Sequence, residues 1–306
     1  MAGGKRNMEE WVMDERRDAG KRTRDPQSPI SNIQSPVSNF RFSQRSLADY
    51  LVCKRRFRLR YIDRLVWPAP FSQADQELEA LMELGRDFHQ AVHQQFVGVD
   101  PDELIAGNPD GRLATWWKAF EAHALPHLPE GECWPEAVLS VPMAASWLVA
   151  RFDLLIVSPS GHATIVDWKT GRLPDTSDLA QQMQTRVYPF VLAEAGASFN
   201  HNQPIPPERI TMAYWYAQAP GDFVEFPYSA EAHERNRQAL QSLIDEILGL
   251  PADGFSKVAD FGPCRRCNYR AYCGRDVEPA PAMELVDEEI DFLMESAMPY
   301  EIEEDA

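Results

Sequence analysis

The sequence contains no apolar run long enough to cross a membrane, and its first residues lack the apolar stretch of a secretory signal. These absences predict a cytoplasmic protein without a membrane-spanning segment. The phosphate-binding pattern G-x-x-x-x-G-K-[ST] is missing too, which excludes a motor protein of the P-loop type. Cysteine is scarce, with five in 306 residues, and in a cytosolic protein so few thiols indicate a metal site or catalysis rather than disulfides.

Positive charge is also in deficit, but mainly at the end of the chain. The formal net charge is −17, yet residues 276–306 hold twelve Asp and Glu and no Lys or Arg, which leaves −5 for the rest. This segment is predicted to be a flexible acidic tail. A basic run, CKRRFRLRYIDR, stands at 53–64, so the overall charge does not exclude an anionic substrate such as nucleic acid.

The beginning of the chain has few residues that could form a core. Residues 1–41 contain two nearly identical heptapeptides, SPISNIQ followed at once by SPVSNFR, which carry many Ser, Pro and Asn. Such a composition cannot bury enough apolar surface to fold, so it predicts a disordered leader. We expect order to begin at about residue 42.

Periodic apolar residues predict the first elements of the ordered part. Spacings of three and four predict a long helix over 74–96, and β-branched or alternating runs predict strands over 136–143, 147–157 and 162–168. The turn SPSG joins the last two strands into a hairpin. The next helix is predicted over 178–195.

The later elements complete a mixed architecture. Strands are predicted over 209–217 and 223–228, followed by a long helix and a cysteine-rich segment. The order of helix, three strands, helix and strand predicts an α/β fold with a mixed central sheet flanked by helices on both faces. An antiparallel meander comes first, and a crossover then leads to a later strand.

The pentapeptide DWKTG ends a β-branched run and places an acid and a lysine two residues apart. Because strand side chains alternate, Asp167 and Lys169 point to one side and Trp168 to the other. A surface ion pair would explain this arrangement, but the preceding strand also carries Asp153 among apolar residues. In the predicted hairpin Asp153 lies near Asp167, and two close carboxylates favour a cation such as Mg²⁺ or Mn²⁺ between them. The alternative is a buried Asp153 satisfied by backbone amides or an arginine.

Two more residues are candidate ligands of such a cation. His89 shares the apolar face of the predicted long helix and therefore points towards the core. It is either a satisfied core histidine or a metal ligand, and His93 is a nearby competitor. Glu136 opens the strand before Asp153 and is a candidate accessory ligand.

Four short motifs occur in order along the chain: GRDFH, RFDLL, DWKTG and QTRVY. Together with the opening segment SQRSLADYLVCKRRFRLRYI, they resemble the PD-(D/E)XK nuclease superfamily over residues 42–275. The resemblance is strongest to its RecB-like branch, which includes AddB-type and CRISPR-associated RecB-like exonucleases. One position departs from the pattern, because Ala150 stands where the family usually has glycine, three residues before Asp153.

The resemblance implies a restriction-endonuclease-like core and a metal-dependent phosphodiesterase. The implied ligands of Mg²⁺ or Mn²⁺ are His89, Asp153, Asp167 and the backbone carbonyl of Trp168. Lys169 would orient the attacking water or neutralise charge that develops on the phosphate.

The resemblance also assigns a role to two residues on the helix that follows. Gln184 and Tyr188 match the family's Q-x-x-x-Y element and lie four apart, hence on one helical face. They would touch the DNA backbone or support Lys169. Ordinary helix surface is the alternative.

The cysteines form the second group of interest. Cys264, Cys267 and Cys273 have the spacing C-x2-C-x5-C, one ligand short of a tetrahedral centre. The resemblance supplies Cys53 as the remote fourth ligand and implies a [4Fe-4S] cluster that clasps both ends of the nuclease core. Zn²⁺ accepts the same four thiolates and is the alternative. Cys133 has no partner at a metal-binding spacing.

Basic residues flank these cysteines on both sides, at 54–60 and at 265–275. If the clasp forms, the two basic groups converge and predict a phosphate-binding rim beside the cluster. A solvated charged face is the alternative.

The resemblance implies one nuclease domain at 42–275, closed by the four cysteines, between the leader at 1–41 and the tail at 276–306. The expected function is metal-dependent DNA cleavage, as an exonuclease on single strands or ends, in repair, recombination or CRISPR spacer acquisition. Without a P-loop, unwinding would come from a partner helicase, and a CRISPR adaptation protein is another candidate partner. The alternatives are an iron–sulfur subunit that binds DNA ends without cutting and a zinc-stabilised endonuclease.

Overall fold

The computed structural model describes residues 40–66, 73–221 and 223–279, all within the unit Gln34–Ala306. The predicted leader up to residue 39 and the predicted tail from residue 280 lie outside the described residues, so both stay predictions. The same holds for the predicted domain boundaries at 42 and 275.

A mixed sheet of six strands forms the centre of the described residues. Its strands are β1 (Arg41–Ser43), β2 (Glu132–Met143), β3 (Ser146–Val157), β4 (Ala163–Lys169), β5 (Ile210–Tyr216) and β6 (Val224–Pro227). β2, β3 and β4 form an antiparallel meander, whereas β5 is parallel to β4 and antiparallel to β6. The predicted α/β fold, with its meander and later crossover, is thereby confirmed.

The turn between β3 and β4 is built as the sequence SPSG predicts. The Gly161 N–H donates to the Ser158 carbonyl at 2.8 Å, and the Ser158 N–H donates to the His162 carbonyl at 2.9 Å. Gly161 has φ 77°, in the left-handed region that glycine enters at little cost. The glycine thus lets the chain reverse within a few residues.

Helices flank the sheet on both faces. The α-helices of the described residues are α1 (Gln44–Val52), α2 (Lys54–Phe57), α3 (Gln73–Val97), α4 (Asp102–Gly107), α5 (Gly111–Ala119), α6 (Thr176–Gln181), α7 (Met183–Ala195) and α8 (Ala230–Gly249). α3 confirms the helix predicted over 74–96. The helix predicted over 178–195 is divided at Gln182, whose ψ of 144° is not helical. Among the helices described, none combines the length and apolarity needed to traverse a bilayer.

Each face of the sheet carries its own hydrophobic core. On one face α3 and α5 pack with Trp168 and Trp215, and on the other α1, α7 and α8 pack with Phe152 and Tyr214. Every residue of β4 is consequently buried. A charged side chain on β4 must therefore find its partners inside the protein.

β1 was not predicted, because three residues carry no readable period. It runs parallel to β3 and pairs with Trp147–Val149. β4 pairs with Leu154–Val157 further along β3, while β2 covers the other edge of β3. Residues 150–153 of β3 therefore lie between the stretch that pairs with β1 and the stretch that pairs with β4. The candidate site forms at this gap between the two pairings.

Candidate functional site

The β3–β4 hairpin brings the two predicted carboxylates together. Its last paired residues are Leu154 and Val166, so Asp153 and Asp167 occupy the next position on each strand. The Trp168 backbone N–H donates to Asp153 Oδ2 at 2.9 Å. The two acids thus lie side by side where the strand pairing ends, as the hairpin predicted.

β3 changes its alternation at Asp153. Up to Phe152, its even-numbered side chains enter the larger core, which contains α7. From Leu155 onward, its odd-numbered side chains enter that core instead. Since a regular strand keeps one phase, the strand must be irregular at Asp153.

β2 changes phase directly opposite. Trp134 and Ala137 both pack towards the larger core, although they are an odd number of residues apart. Between them Glu136 has φ 53°, and the neighbouring pairs of the ladder place it opposite Asp153. The left-handed conformation costs a residue with a side chain about 1–2 kcal/mol. The strand therefore holds a strained acid opposite the candidate ligand.

Asp167 is fixed by two side chains. Lys169 Nζ lies 2.7 Å from Asp167 Oδ2, and the Gln184 side-chain amide donates to Asp167 Oδ1. Asp167 and Lys169 are only 3% and 2% exposed. They do not form the surface ion pair that the sequence alone left open.

Asp153 lies between a histidine and a backbone amide. His89 Nδ1 on α3 is 3.4 Å from Asp153 Oδ2. Burial by itself would raise the pKa of Asp153, but His89, Lys169 and the Trp168 amide outweigh it and hold this pKa below its usual value. The carboxyl therefore stays ionised inside the protein.

Glu136 contributes a third carboxylate. Its Oε2 lies 3.2 Å from Arg151 Nε. Burial raises the pKa of Glu136, and the nearby charge of Asp153 raises it further.

These groups share one cavity of about 460 Å³. Its lining comprises Gln44, Arg86, Asp87, His89, Gln90, His93, Glu136, Arg151, Asp153, Asp167, Lys169, Gln184 and Tyr188. Each side chain predicted for the metal or catalytic site is in this set. The Trp168 carbonyl stays a predicted ligand, because it is the Trp168 N–H that bonds a site residue, Asp153.

Sequence reasoning missed several residues of this lining. Arg86 and Gln90 recur with His93 at spacings of four and three along α3, a signal that could have identified them. Arg151 is two residues before Asp153 and could have been expected on its side of the strand. Gln44 begins α1 directly after the unpredicted strand β1, so nothing local indicated it.

The Q-x-x-x-Y element faces this cavity. Gln184 and Tyr188 both lie on α7 and line the cavity. The Tyr188 ring packs edge-on against Phe152, with 5.2 Å between the ring centroids. Packing against the core therefore fixes the tyrosine, while Gln184 reaches the carboxylate.

The donor types of the cavity fit a hard divalent cation. Carboxylate oxygens and an imidazole nitrogen are ligands for which Mg²⁺ and Mn²⁺ are suited. As the side chains stand, no three His, Cys, Asp or Glu residues in the described ranges are placed to hold a metal ion. Lys169, His89 and Arg151 contact the carboxylates instead, so a bound ion would have to displace some of these contacts.

The predicted cysteines meet in a second cavity. Cys53, Cys264, Cys267 and Cys273 all line a space of about 20 Å³, whereas Cys133 is exposed and absent from that lining. A space of this size holds about one water-sized atom. As the thiols stand they are not placed to hold a metal ion, so either a single ion or a cubane cluster would require them to move.

Two hydrogen bonds join the two chain segments that carry these cysteines. The Arg55 N–H donates to the Ser256 carbonyl at 3.0 Å, and the Tyr269 hydroxyl donates to the Leu65 carbonyl at 3.0 Å. Burial raises the pKa of the Cys267 thiol, although Arg56 opposes this effect. The two segments are therefore joined at the cysteine cavity, whose thiols are buried or half-buried.

The basic residues near the cysteines mainly contact acidic side chains of the same chain. Arg56 and Arg60 both bind the buried Asp49, at 2.7 and 3.0 Å. Lys54 Nζ lies 2.6 Å from Glu246 Oε1. Much of the predicted phosphate-binding rim is thus engaged within the protein.

A sequence model of the PD-(D/E)XK nuclease superfamily matches residues 41–274, and the chain belongs to this superfamily. Nucleases of this superfamily are phosphodiesterases that generally use Mg²⁺ or Mn²⁺. No curated protein sequence matches the chain significantly.

Two solved structures are similar in part. One is a candidate exonuclease from Eubacterium rectale, with 15% identity and a TM-score of 0.44 over 85% of this chain and 91% of that one. The other is the protein SSO0001, with 12% identity and a TM-score of 0.36 over 77% of this chain and 86% of that one.

Proposed function

We propose that this protein is a metal-dependent DNA nuclease of the RecB-like branch, which acts as an exonuclease on single strands or DNA ends. The observation that carries this proposal is the meeting of His89, Asp153, Asp167 and Lys169 in one cavity. These side chains come from three separate elements, α3, β3 and β4. They are the types that phosphodiester hydrolysis with a divalent ion requires.

The proposed ligands of Mg²⁺ or Mn²⁺ are His89, Asp153, Asp167 and the Trp168 carbonyl. When bound, the ion supplies a Lewis acid for the scissile phosphate and lowers the pKa of a bound water. His89 and the Trp168 amide hold Asp153 in place for this role.

Lys169 is proposed to supply a positively charged side chain beside the metal ion. Its ammonium, which now contacts Asp167, lies where it can orient the attacking water and neutralise charge on the phosphate. Gln184 fixes the other oxygen of Asp167 and so keeps the carboxylate in one orientation. Tyr188 lines the same cavity and is proposed to contact the DNA backbone.

Digestion of end-labelled linear DNA and closed circular single strands with Mn²⁺ tests this function. We expect stepwise shortening of linear DNA, intact circles, and no cleavage by Asp153→Asn or with EDTA. Asp87→Asn is a matched control, since Asp87 lines the same cavity but accepts a hydrogen bond from Asn108 at 2.6 Å.

Other outcomes would support the competing functions. Cleavage of circles would support an endonuclease. Tight binding to DNA ends without cleavage in any metal would support a non-cleaving end-binding subunit and contradict the nuclease proposal.

We further propose that the four cysteines bind a [4Fe-4S] cluster, which clasps the domain proposed at 42–275. Their convergence on one cavity supports a shared metal centre, for which Zn²⁺ is the alternative occupant. Visible absorbance, iron and sulfide in anaerobically purified protein would establish the cluster. Colourless protein with one zinc per chain would establish the alternative.

The proposed setting is cytoplasmic DNA repair, recombination or CRISPR spacer acquisition. The described residues provide no ATP-driven motor motif, so a helicase or a CRISPR adaptation protein is the proposed partner. Co-purification of such a partner with the full chain would test this assignment.

A further inference from the structure

Glu136 is the most strained acid of the candidate active site. It has φ 53° in the middle of β2, a conformation that a residue with a side chain rarely adopts. The pairs on either side of it keep a regular register, so no insertion in the strand forces this conformation. Strain of this kind persists where the surroundings enforce it, and it concentrates at functional sites.

The strained residue faces the proposed metal ligand. The pairs Pro135–Leu154 and Ala137–Phe152 place Glu136 opposite Asp153, and both acids line the same cavity. Opposite residues of an antiparallel pair are close enough for their side chains to share a ligand. Asp87, another acid of the lining, is instead held by Asn108.

The present partner of Glu136 is easily displaced. Arg151 Nε lies 3.2 Å from its carboxylate, and the two side chains are 45% and 33% exposed. Ion pairs with this much solvent contact contribute little to stability. By contrast, the Lys169–Asp167 pair is almost fully buried.

We propose that Glu136 is a further ligand of the divalent ion bound at Asp153, and that Arg151 occupies this carboxylate until the ion displaces it. The inference rests on the proposed nuclease function. It adds a third carboxylate to the site and gives Arg151, once released, a position beside the substrate phosphate.

A titration of the full chain with Mn²⁺ in the absence of DNA tests the proposal independently of activity. The decrease of the EPR signal of free Mn²⁺ measures the binding. We expect Glu136→Gln to weaken Mn²⁺ binding at least about tenfold, the lower end of what loss of an outer-shell partner costs. We expect Arg151→Gln to strengthen it, because a competing cation is removed. Circular dichroism checks that each variant folds.

The double variant separates competition from a general charge effect. If Arg151 competes for Glu136, adding Arg151→Gln to Glu136→Gln changes Mn²⁺ affinity by less than about twofold, because the interaction is already lost. Arg86→Gln is the matched control, since Arg86 lines the cavity but its ion-pair partner is Glu83 at 3.9 Å. Its effect should be equal in both backgrounds.

Equal Mn²⁺ affinity of Glu136→Gln and the wild type would overturn this inference and leave the nuclease proposal intact. If Arg151→Gln raised Mn²⁺ affinity equally in the wild type and in Glu136→Gln, Arg151 would not compete with the ion for Glu136, and that part of the inference would be overturned. Absence of Mn²⁺ binding by the wild type would overturn both the inference and the proposed function.

Discussion

The active-site cavity and the cysteine cavity differ in size, in lining and in the contacts that hold them. The first measures about 460 Å³ and is lined by charged and polar side chains from helices and strands. The second measures about 20 Å³ and gathers four thiols between chain segments about 200 residues apart in sequence. The first has room for a substrate group, and the second joins two distant parts of the chain.

The two cavities also differ in whether an ion or a phosphate could replace the contacts of their side chains. In the active site the carboxylates are satisfied by cationic side chains, which an ion or a phosphate can replace. Around the cysteines, the Arg55–Ser256 backbone hydrogen bond and the Tyr269 hydroxyl tie the two segments together, while Asp49 holds Arg56 and Arg60 within the first of them. We therefore expect changes in the first region to affect activity and changes in the second to affect stability.

Lys169→Ala should give the largest effect. It removes the ammonium that we propose lies next to the reacting phosphate, and we expect loss of cleavage by about 10³-fold, as for other groups that stabilise developing charge. Lys54→Ala is the matched control, because Lys54 pairs with Glu246 on the surface. Initial rates of DNA digestion measure both, and a Lys169→Ala enzyme with normal rates would remove lysine from the mechanism.

Asp49→Asn should separate the two regions most clearly. It leaves the almost fully buried Arg56 and Arg60 without their carboxylate, and we expect a loss of about 3–5 kcal/mol of unfolding free energy. Urea denaturation measures this change. If stability were unchanged while cleavage was lost, the assignment of structural and catalytic roles to the two regions would be reversed.

Cys267→Ser should empty the cysteine site while Cys133→Ser leaves it filled. Cys267 lines the cavity and Cys133 is exposed elsewhere. We expect bound metal to fall from one centre per chain to almost none in the first variant, with a lower melting temperature. Elemental analysis decides, and equal metal content in both variants would contradict a four-cysteine site.

Gln184→Leu should have the smallest of these effects. The amide holds Asp167 through one oxygen, and loss of such a supporting contact typically costs about 10–100-fold in metal affinity or activity. The loss should be partly recovered at high Mn²⁺ if the amide only orients the ligand. A defect that Mn²⁺ cannot relieve would assign Gln184 to the substrate instead.

The meeting of the acids of the candidate active site was predictable because their signals are local. The glycine turn predicted the β3–β4 hairpin, and the register of that hairpin places Asp153 beside Asp167. The apolar spacing of α3 likewise turned His89 towards the sheet. For these residues a few neighbours in sequence determine the direction of the side chain.

The rest depends on contacts between distant segments. The phase change at Glu136 and Asp153 occurs where β3 passes from β1 to β4, and no window of β2 or β3 alone reveals it. The internal pairing of the basic residues has the same origin, since Lys54 meets Glu246 on α8. The charge pattern showed that cations cluster there, but only the fold shows which acids they meet.

Anomalous diffraction from crystals grown with Mn²⁺ tests the central claim most directly. The account predicts one strong peak in the larger cavity, coordinated by His89, Asp153 and Asp167, with Lys169 beside it. A cavity without metal at saturating Mn²⁺, or a peak that these three side chains do not coordinate, would contradict it.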